Sequence, residues 1–304
     1  MVYRTFEELI SAIKLKKTCS RMAVAVAADE HTIQAVLHAQ ESGIVHPVFI
    51  GGKERIDDIL RELGASVPDE DVVDEEDDAE ACRKAVRMVH DHKADFLMKG
   101  KVDTKVLLKA VVDKDNGLGT GKLMSHFSIF QVPAYHKLFV PVDGGMVPYP
   151  TLEQKREIIE NTVSVLHRFG VDTPKVGVLA CVEKVNTHMP ETVEAAELAR
   201  MNRSGEIAGC IVDGPVSFDC AVSKEIAELK GYKSPIAGDV DVLLAPDIHT
   251  GNTMGKMLVC FAGAKMAGFV TGAACPIIVT SRGSSAEEKF YSIVLASAAA
   301  SKEG

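Results

Sequence analysis

Short apolar runs rich in valine and isoleucine alternate with longer amphipathic stretches along most of the chain. The runs at 22–28, 46–51 and 94–99 have the length of buried strands, and the stretches between them carry apolar residues at helical spacing. This alternation is typical of parallel sheets covered by helices. The sequence therefore predicts an α/β protein with mainly parallel sheets.

The alternation continues into the second half of the chain, after a cluster of turn-forming residues at 115–121. Apolar runs at 125–132 and 137–142, separated by a short turn that contains proline, predict a hairpin. Further strands are predicted at 175–181, 209–212, 240–245 and 276–280, and helices at 152–169, 191–202, 220–229, 252–267 and 285–301. A chain of 304 residues corresponds to two domains of about 150 residues each, with 115–121 as a candidate linker.

The charged residues argue against nucleic acid as a partner. Lysine and arginine number 34 against 43 aspartates and glutamates, and nine of the acids lie in one stretch, 69–80, that has no basic residue. The rest of the chain is therefore neutral, and aromatic residues make up only 5% of the whole. Because nucleic-acid binding needs an excess of positive charge and aromatic surfaces for stacking, this class is disfavoured.

Cysteine usage and hydropathy predict a cytoplasmic protein. The seven cysteines are scattered singly without a C-x-x-C pair, as expected for reduced thiols. Residues 1–17 mix charges into the apolar positions and do not form a signal peptide. The longest uncharged segment, 266–281, has 16 residues and is too short to cross a bilayer of about 30 Å. We therefore expect no association with a membrane.

Motifs that would define a cofactor are missing from the sequence. The glycines at 117–121 have the wrong spacing for a dinucleotide fingerprint and follow a predicted helix. The segment 251–256 is one residue short of a P-loop and lacks the hydroxyl that binds magnesium. His90 and His92, at a predicted helix end, fit solvated side chains better than metal ligands. We expect neither a metal nor a bound cofactor.

Four predicted strands end in unusually polar, glycine-rich segments, at 99–104, 213–215, 246–252 and 281–285. Ligands of parallel sheets collect at the carboxyl ends of strands, against the starts of the following helices. In the last segment an arginine lies beside several hydroxyls and a helix start, a combination that can hold a phosphate by several charge-assisted hydrogen bonds. A helix cap with a surface arginine is the alternative interpretation.

Together these segments resemble the phosphate acetyl/butyryl transferase family in residue type, order and spacing, from about residue 20 to the end. Lys99 makes the phosphate butyryltransferases the better match, because phosphate acetyltransferases commonly have a serine there. The matching motifs are Leu97-Met98-Lys99-Gly100 with Thr104, Asp213-Gly214-Pro215 with Asp219, Pro246-Asp247 with Gly251, Asn252 and Lys256, and Ser281-Arg282-Gly283.

The resemblance implies reversible transfer of a butyryl group between CoA and inorganic phosphate, by direct attack in a ternary complex. Acyl-CoA, phosphate and acyl phosphate are then the small-molecule partners, and CoA is a substrate rather than a bound cofactor. No metal and no covalent acyl-enzyme are implied. Phosphate acetyltransferase activity on acetyl-CoA, and a catalytically weak CoA-binding protein on the same fold, stay open as alternatives.

The resemblance also implies an isocitrate/isopropylmalate dehydrogenase-like fold of two α/β domains, with the active site in the cleft between them, and a homodimer. In such proteins the chain returns to the first domain at its end. We therefore expect a discontinuous first domain at 1–118 plus 267–304 and a second domain at 119–266.

Three residues near the C-terminus receive catalytic roles from the resemblance. Ser281 would hydrogen-bond around the CoA thiol and the carbonyl, and Arg282 would bind the phosphoryl group. Glu288 stands where the family has an aspartate as the proposed base. A second interpretation of Glu288 is open, because Ser285 to Glu288 also fits a capping box that would occupy the carboxylate.

The remaining candidates are expected to bind substrate. Lys99 and Thr104 would contact the acyl phosphate, unless they are a solvated lysine and a helix cap. Asn252 and Lys256 would meet a phosphate at a helix start, whereas Asp213 and Asp247 fit loop geometry better than acid–base chemistry. The substrate-binding set is Lys99, Gly100, Thr104, Asp213, Asp247, Gly251, Asn252, Lys256 and Gly283.

Overall fold

The computed structural model describes residues 3–14, 19–281 and 283–300. Its helices are α1 (Phe6–Lys14), α2 (Glu30–Glu41), α3 (Lys53–Glu62), α4 (Asp78–His90), α5 (Thr104–Val111), α6 (Leu152–Arg168), α7 (Pro190–Arg203), α8 (Phe218–Val222), α9 (Lys224–Leu229), α10 (Ile248–Ala262) and α11 (Ala286–Ala300). Its strands are β1 (Ser20–Ala25), β2 (Val45–Gly51), β3 (Val72–Asp74), β4 (Phe96–Lys99), β5 (Ser125–Gln131), β6 (Val140–Val142), β7 (Lys175–Leu179), β8 (Ile211–Val216), β9 (Val242–Leu244), β10 (Lys265–Thr271) and β11 (Ile277–Ile278).

The chain divides into two compact units. We call Ile10–Lys122 with Ala267–Gly304 the Ser281 unit, and Met1–Leu9 with Leu123–Met266 the Asn252 unit. Each unit contains strands that alternate with helices, so the α/β class with mainly parallel sheets is confirmed. None of the described helices combines the length and the apolar composition that a membrane span requires.

In the Ser281 unit the strands lie in the order β3-β2-β1-β4-β11-β10. All neighbouring pairs are parallel except β10 with β11, which is antiparallel. Ala25 pairs with Lys99, and Ile278 pairs with Met98. The carboxyl ends of β1, β4 and β11 therefore meet at one edge of the sheet, where Lys99 and the segment that leads to Ser281 follow.

The core of the Ser281 unit explains why these segments fold as they do. Met22, Val24, Phe49 and Phe96 on the three central strands are fully buried, and burying an apolar side chain of this size stabilises the fold by about 1.5–3 kcal/mol. Helix α11 packs against α2 and is buried on nearly every side from residue 289 onward. Its almost entirely apolar second half follows from that central position.

In the Asn252 unit four strands form a parallel sheet in the order β6-β9-β7-β8. The predicted hairpin between 125–132 and 137–142 is reduced to a single antiparallel bridge, from Phe130 to Phe139. Strand β6 instead pairs in parallel with β9, from Val140 with Val242 onward. The hairpin does not continue past Phe139 because Pro141, the next residue on that edge of β6, has no N–H, and its carbonyl accepts from the Ser128 hydroxyl at 3.2 Å.

Two predicted helices differ from the structure. The helix predicted at 252–267 runs at Ile248–Ala262 and ends at Gly263, whose φ of 63° places it in the left-handed region that favours glycine. Strand β10 follows at once. The helix predicted at 220–229 is split at Ser223, which is extended and caps α9 by accepting a hydrogen bond from the Ile226 N–H.

Candidate active site

A polar pocket of about 480 Å³ lies within the Ser281 unit, at the edge of the sheet where β4 and β11 end. Its walls include Lys99, Gly100 and Ser281, three of the residues predicted from the sequence to bind or react with substrate. More than 180 positions separate Gly100 from Ser281 in the chain, and the parallel pairing of β4 with β11 brings them together. Asp29, Thr32, Thr280 and Lys289 also line the pocket.

Lys99 is a buried lysine, 5% exposed, at the end of β4. Its ammonium donates to the backbone oxygens of Gly100 at 3.1 Å and Val102 at 3.0 Å. The interpretation of Lys99 as a solvated side chain is therefore wrong. A buried ammonium at the end of a parallel strand is suited to bind an anion, because the low local dielectric strengthens its attraction for negative charge.

Gly100 lets the chain pass close to the end of β1. A Cβ atom built on Gly100 would lie 2.1 Å from the Val26 carbonyl oxygen. The next helix, α5, begins at Thr104 and is capped by Asp103, which accepts from the Lys105 N–H at 2.8 Å. Thr104 is half-buried and does not line the pocket, so its predicted contact with the acyl phosphate stays a prediction.

Ser281 is exposed at the pocket, and its hydroxyl accepts weakly from the Gly283 N–H at 3.4 Å. Gly283 is exposed, and a Cβ there would meet nothing within 4 Å. Arg282 lies outside the described residues. The predicted roles of Ser281 and Arg282 in the reaction stay predictions.

Glu288 forms half of the capping box that the sequence allows. The Ser285 hydroxyl accepts from the Glu288 N–H at 3.1 Å, as a helix cap does. The Glu288 carboxylate accepts a hydrogen bond from the Ser284 hydroxyl at 2.8 Å. Burial raises the pKa of Glu288, against the opposing effects of the Ser284 hydrogen bond and the Lys289 charge. A carboxylate with a raised pKa is a stronger base.

The sequence analysis did not identify Lys289, which is 4% exposed and lines the pocket. Its ammonium lies 2.9 Å from Asp29 Oδ2. Asp29 also caps α2 by accepting from the Thr32 N–H at 3.0 Å. Burial works against ionisation of Asp29, but the hydrogen bonds from Thr32 and Lys289 together hold its pKa below the usual value. The sequence signal for Lys289 was its position directly before the apolar part of α11, where a lysine is unusual.

Predicted residues of the Asn252 unit gather where α10 begins. Asp247 caps this helix by accepting from the Thr250 N–H at 2.8 Å. The Asn252 side-chain amide donates to the Gly144 carbonyl at 2.9 Å. Gly251 is buried against the backbone of Asp143, and a Cβ built on Gly251 would lie 2.3 Å from the Asp143 carbonyl oxygen. Lys256 is exposed one turn further along the helix.

Asp143 organises the loop on which α10 rests and was not identified from the sequence. It is 2% exposed and accepts from the N–H groups of Gly145 at 2.7 Å, Met146 at 2.9 Å and His126 at 3.1 Å. Burial lowers the pKa of the His126 imidazole, while the Asp143 charge opposes this. An aspartate followed by two glycines, directly after a predicted strand, was the signal for such a turn.

Asp213 and Asp219 hold loops of the Asn252 unit through their own hydrogen bonds. Asp213 accepts from the Ser234 hydroxyl at 2.5 Å and from the Gly214 N–H at 2.9 Å. The Asp219 carboxylate lies 2.9 Å from the Lys230 ammonium, and hydrogen bonds from Ser217 and Lys230 lower its pKa to about 2.

One group of side chains among the described residues has the donor types of a metal site, namely Glu183, Asp219 and Cys220. The Lys230 ammonium lies within 3.1 Å of both carboxylates. In this structure a lysine therefore balances the negative charge of the cluster.

Burial is the largest influence on three partly or fully buried thiols. Burial raises the pKa of Cys82 and Cys210 to about 11 and that of Cys275 to about 12. Since the thiolate is the nucleophile, these groups are poorly suited to covalent catalysis.

An α/β protein with a buried lysine and hydroxyl side chains at the carboxyl ends of parallel strands has the arrangement with which this class of fold binds anionic ligands. The chain belongs to the Phosphate acetyl/butaryl transferase family, whose model matches residues 54–297. It is an acyltransferase by family membership, and the resemblance predicted from its motifs is confirmed.

Individual relatives agree with this assignment along nearly the whole chain. The phosphate butyryltransferase of Clostridium beijerinckii is 40% identical over 299 residues, which cover 98% of this chain and 99% of the relative. The phosphate acetyltransferase of Thermotoga maritima is 44% identical over 275 residues, or 90% and 93% of the two chains. The crystal structure of a branched-chain phosphotransacylase from Enterococcus faecalis is 30% identical and covers 92% of this chain and 99% of its own, with a TM-score of 0.80.

Proposed function

We propose that the protein transfers a short-chain acyl group reversibly between CoA and inorganic phosphate, with butyryl-CoA as its first substrate. The single observation that carries this proposal is the pocket that Ser281 lines together with two buried lysines, Lys99 and Lys289. Ammonium and hydroxyl groups are the donors that bind phosphate and stabilise charge on a reacting carbonyl. Membership in the family and the named relatives support the same reaction.

In the direction that consumes acyl phosphate, the CoA sulfur attacks the acyl carbon. The carbon–sulfur bond forms, the bond from carbon to the phosphate oxygen breaks, and phosphate leaves with the electron pair. A free thiol has a pKa of about 8.5 and is mostly protonated at neutral pH, so its proton must pass to a base. We assign that base to Glu288, whose pKa is raised by burial.

The other residues are assigned to binding and charge stabilisation. Ser281 hydrogen-bonds the thiol and the carbonyl, and Arg282 holds the phosphoryl group, as the family resemblance implies. Lys99, Gly100, Thr104 and Gly283 form the rest of the acyl phosphate site. We assign the phosphates of CoA to the start of α10, namely Gly251, Asn252 and Lys256, with Asp247 and Asp213 fixing the loops. CoA enters and leaves as a substrate.

Acetyl-CoA is the second candidate substrate, because the Thermotoga maritima relative with 44% identity is a phosphate acetyltransferase. Purified protein is given phosphate and a series of acyl-CoA substrates from acetyl to hexanoyl, without added metal or nucleotide, and free thiol is measured. We expect the highest kcat/KM for butyryl-CoA. A maximum at acetyl-CoA would make the protein a phosphate acetyltransferase, and no release with any substrate would refute the transferase and leave a CoA-binding role.

We also propose that the protein is a homodimer in the cytoplasm, with its two units as its two domains. Phe261 is 87% exposed on α10, and Met257, one turn earlier on the same face, is 55% exposed. Family resemblance makes a second copy of the chain the partner for this apolar face. The seven cysteines are all free, which suits a reducing compartment.

The dimer is tested by Phe261→Asp in sedimentation velocity. A charge on an apolar interface is unfavourable, so we expect the variant to sediment as a monomer while the wild type sediments as a dimer. A wild-type monomer, or a variant that remains dimeric, would contradict the assignment of this face.

A further inference from the structure

Lys289 is a buried cation at the candidate active site to which the family resemblance gives no role. Its side chain is 5% exposed, and the residue lines the same pocket as Lys99, Thr280 and Ser281. Lysine is among the residues that are almost never fully buried without a partner. Among the described residues its hydrogen-bond partner is Asp29, at 2.9 Å.

Stability alone is a poor explanation for this pair. A buried ion pair must offset the cost of removing two charges from water, and apolar side chains of similar volume often serve a core as well or better. Asp29 has donors besides Lys289, because as the cap of α2 it also accepts hydrogen bonds from the N–H and the hydroxyl of Thr32. An ammonium has three donors, and Asp29 uses one of those of Lys289.

Helix starts and lysines around the pocket together favour an anion as its occupant. Lys99, Lys101 and Lys289 line the pocket together with three aspartates. Two of those aspartates, Asp29 and Asp103, accept hydrogen bonds from backbone N–H groups at the starts of α2 and α5. Because the backbone N–H groups at the helix starts offset part of the charge of these carboxylates, Asp29 does not cancel the whole charge of the Lys289 ammonium, which can attract a ligand of opposite charge beside it.

We propose that Lys289 binds the phosphoryl group of the inorganic phosphate and acyl phosphate substrates, and that Asp29 is the residue that positions it. This inference rests on the proposed function and adds to it a residue of the phosphate site. The phosphates of CoA share the same chemistry, so the experiment must separate the two sources.

The test compares Lys289→Met and Lys289→Gln with the wild type in the KM for phosphate and the KM for butyryl-CoA. Phosphate alone is also titrated against the melting temperature of each protein, a readout that needs no turnover. Lys155→Met is the matched control, because Lys155 is also 4% exposed and ion-paired, with Glu194 in the other unit.

We expect both Lys289 variants to raise the KM for phosphate about tenfold or more, the effect of losing one charge-assisted hydrogen bond. The KM for butyryl-CoA should change less than about twofold, and phosphate should no longer raise the melting temperature. Lys155→Met should lower the melting temperature without changing the KM for phosphate. Lys289→Gln keeps a donor for Asp29 and serves if Lys289→Met does not fold.

An unchanged KM for phosphate in a folded Lys289 variant, with an active wild type, would overturn the inference and leave the proposed function intact. A selective rise in the KM for butyryl-CoA would assign Lys289 to a CoA phosphate and equally overturn it. If the wild type has no turnover but phosphate stabilises it and neither Lys289 variant, the proposed function fails while the anion site stands.

Discussion

The carboxyl group of Glu288 depends on the two serines that precede it in the chain. The Ser285 hydroxyl caps the helix by accepting a hydrogen bond from the Glu288 N–H, and the Ser284 hydroxyl donates to the Glu288 carboxylate. The capping box predicted from the sequence would have used the carboxylate to accept from the Ser285 N–H, whereas the carboxylate accepts from the Ser284 hydroxyl. That choice depends on how the side chains pack at the start of α11, where Ser284 is buried and Ser285 is exposed.

If Glu288 is the base, the rate of acyl phosphate consumption should fall as the pH drops through its pKa. Ser284→Ala removes a hydrogen bond that favours the charged form, so the pKa rises further and the fall should begin at a higher pH. Glu288→Gln should lower kcat by about 10² or more and abolish this limb of the pH–rate profile. Steady-state rates between pH 4 and 8, on variants with unchanged circular dichroism, measure both effects. Activity of Glu288→Gln with an unaltered profile would remove Glu288 from the mechanism.

At the scale of elements, the site depends on strand ends that pass within contact distance of each other. The end of β4 meets the segment after β1 at Gly100, where a side chain would strike the Val26 carbonyl. The alternation of apolar and amphipathic stretches predicted both strands, because parallel strands buried on both faces read as continuous apolar runs. It did not predict β10: the helix predicted at 252–267 includes the first three residues of that strand, whereas Gly263 ends the helix before them.

Gly100→Ala tests this close approach. We expect the free energy of unfolding in urea to fall by about 1–3 kcal/mol, the cost typical of overpacking a filled site. Gly119→Ala is the control, since a Cβ at Gly119 meets nothing within 4 Å and surface changes usually stay within about 0.5 kcal/mol. Equal stability of the two variants would show that the chain at Gly100 can relax at little cost.

At the scale of the whole molecule, the sequence predicted the class and the family better than it predicted the composition of the site. Lys99, Gly100 and Ser281 were found because they lie in motifs at strand ends, and all three line one pocket. Lys289 was missed because its partner, Asp29, is 260 positions away in the chain. Periodicity places a residue on a face of its own helix, but it carries no information on which distant segment covers that face.

The central claim is that phosphate accepts the acyl group of butyryl-CoA, and the most direct test is to follow both products at once. Protein is mixed with butyryl-CoA and phosphate, free thiol is measured with a chromogenic disulfide, and the acyl phosphate is measured by phosphorus-31 NMR. The account predicts thiol and butyryl phosphate in equal amounts, with no thiol formed when phosphate is left out. Release of thiol without butyryl phosphate, at a rate independent of phosphate, would mean hydrolysis and would contradict it.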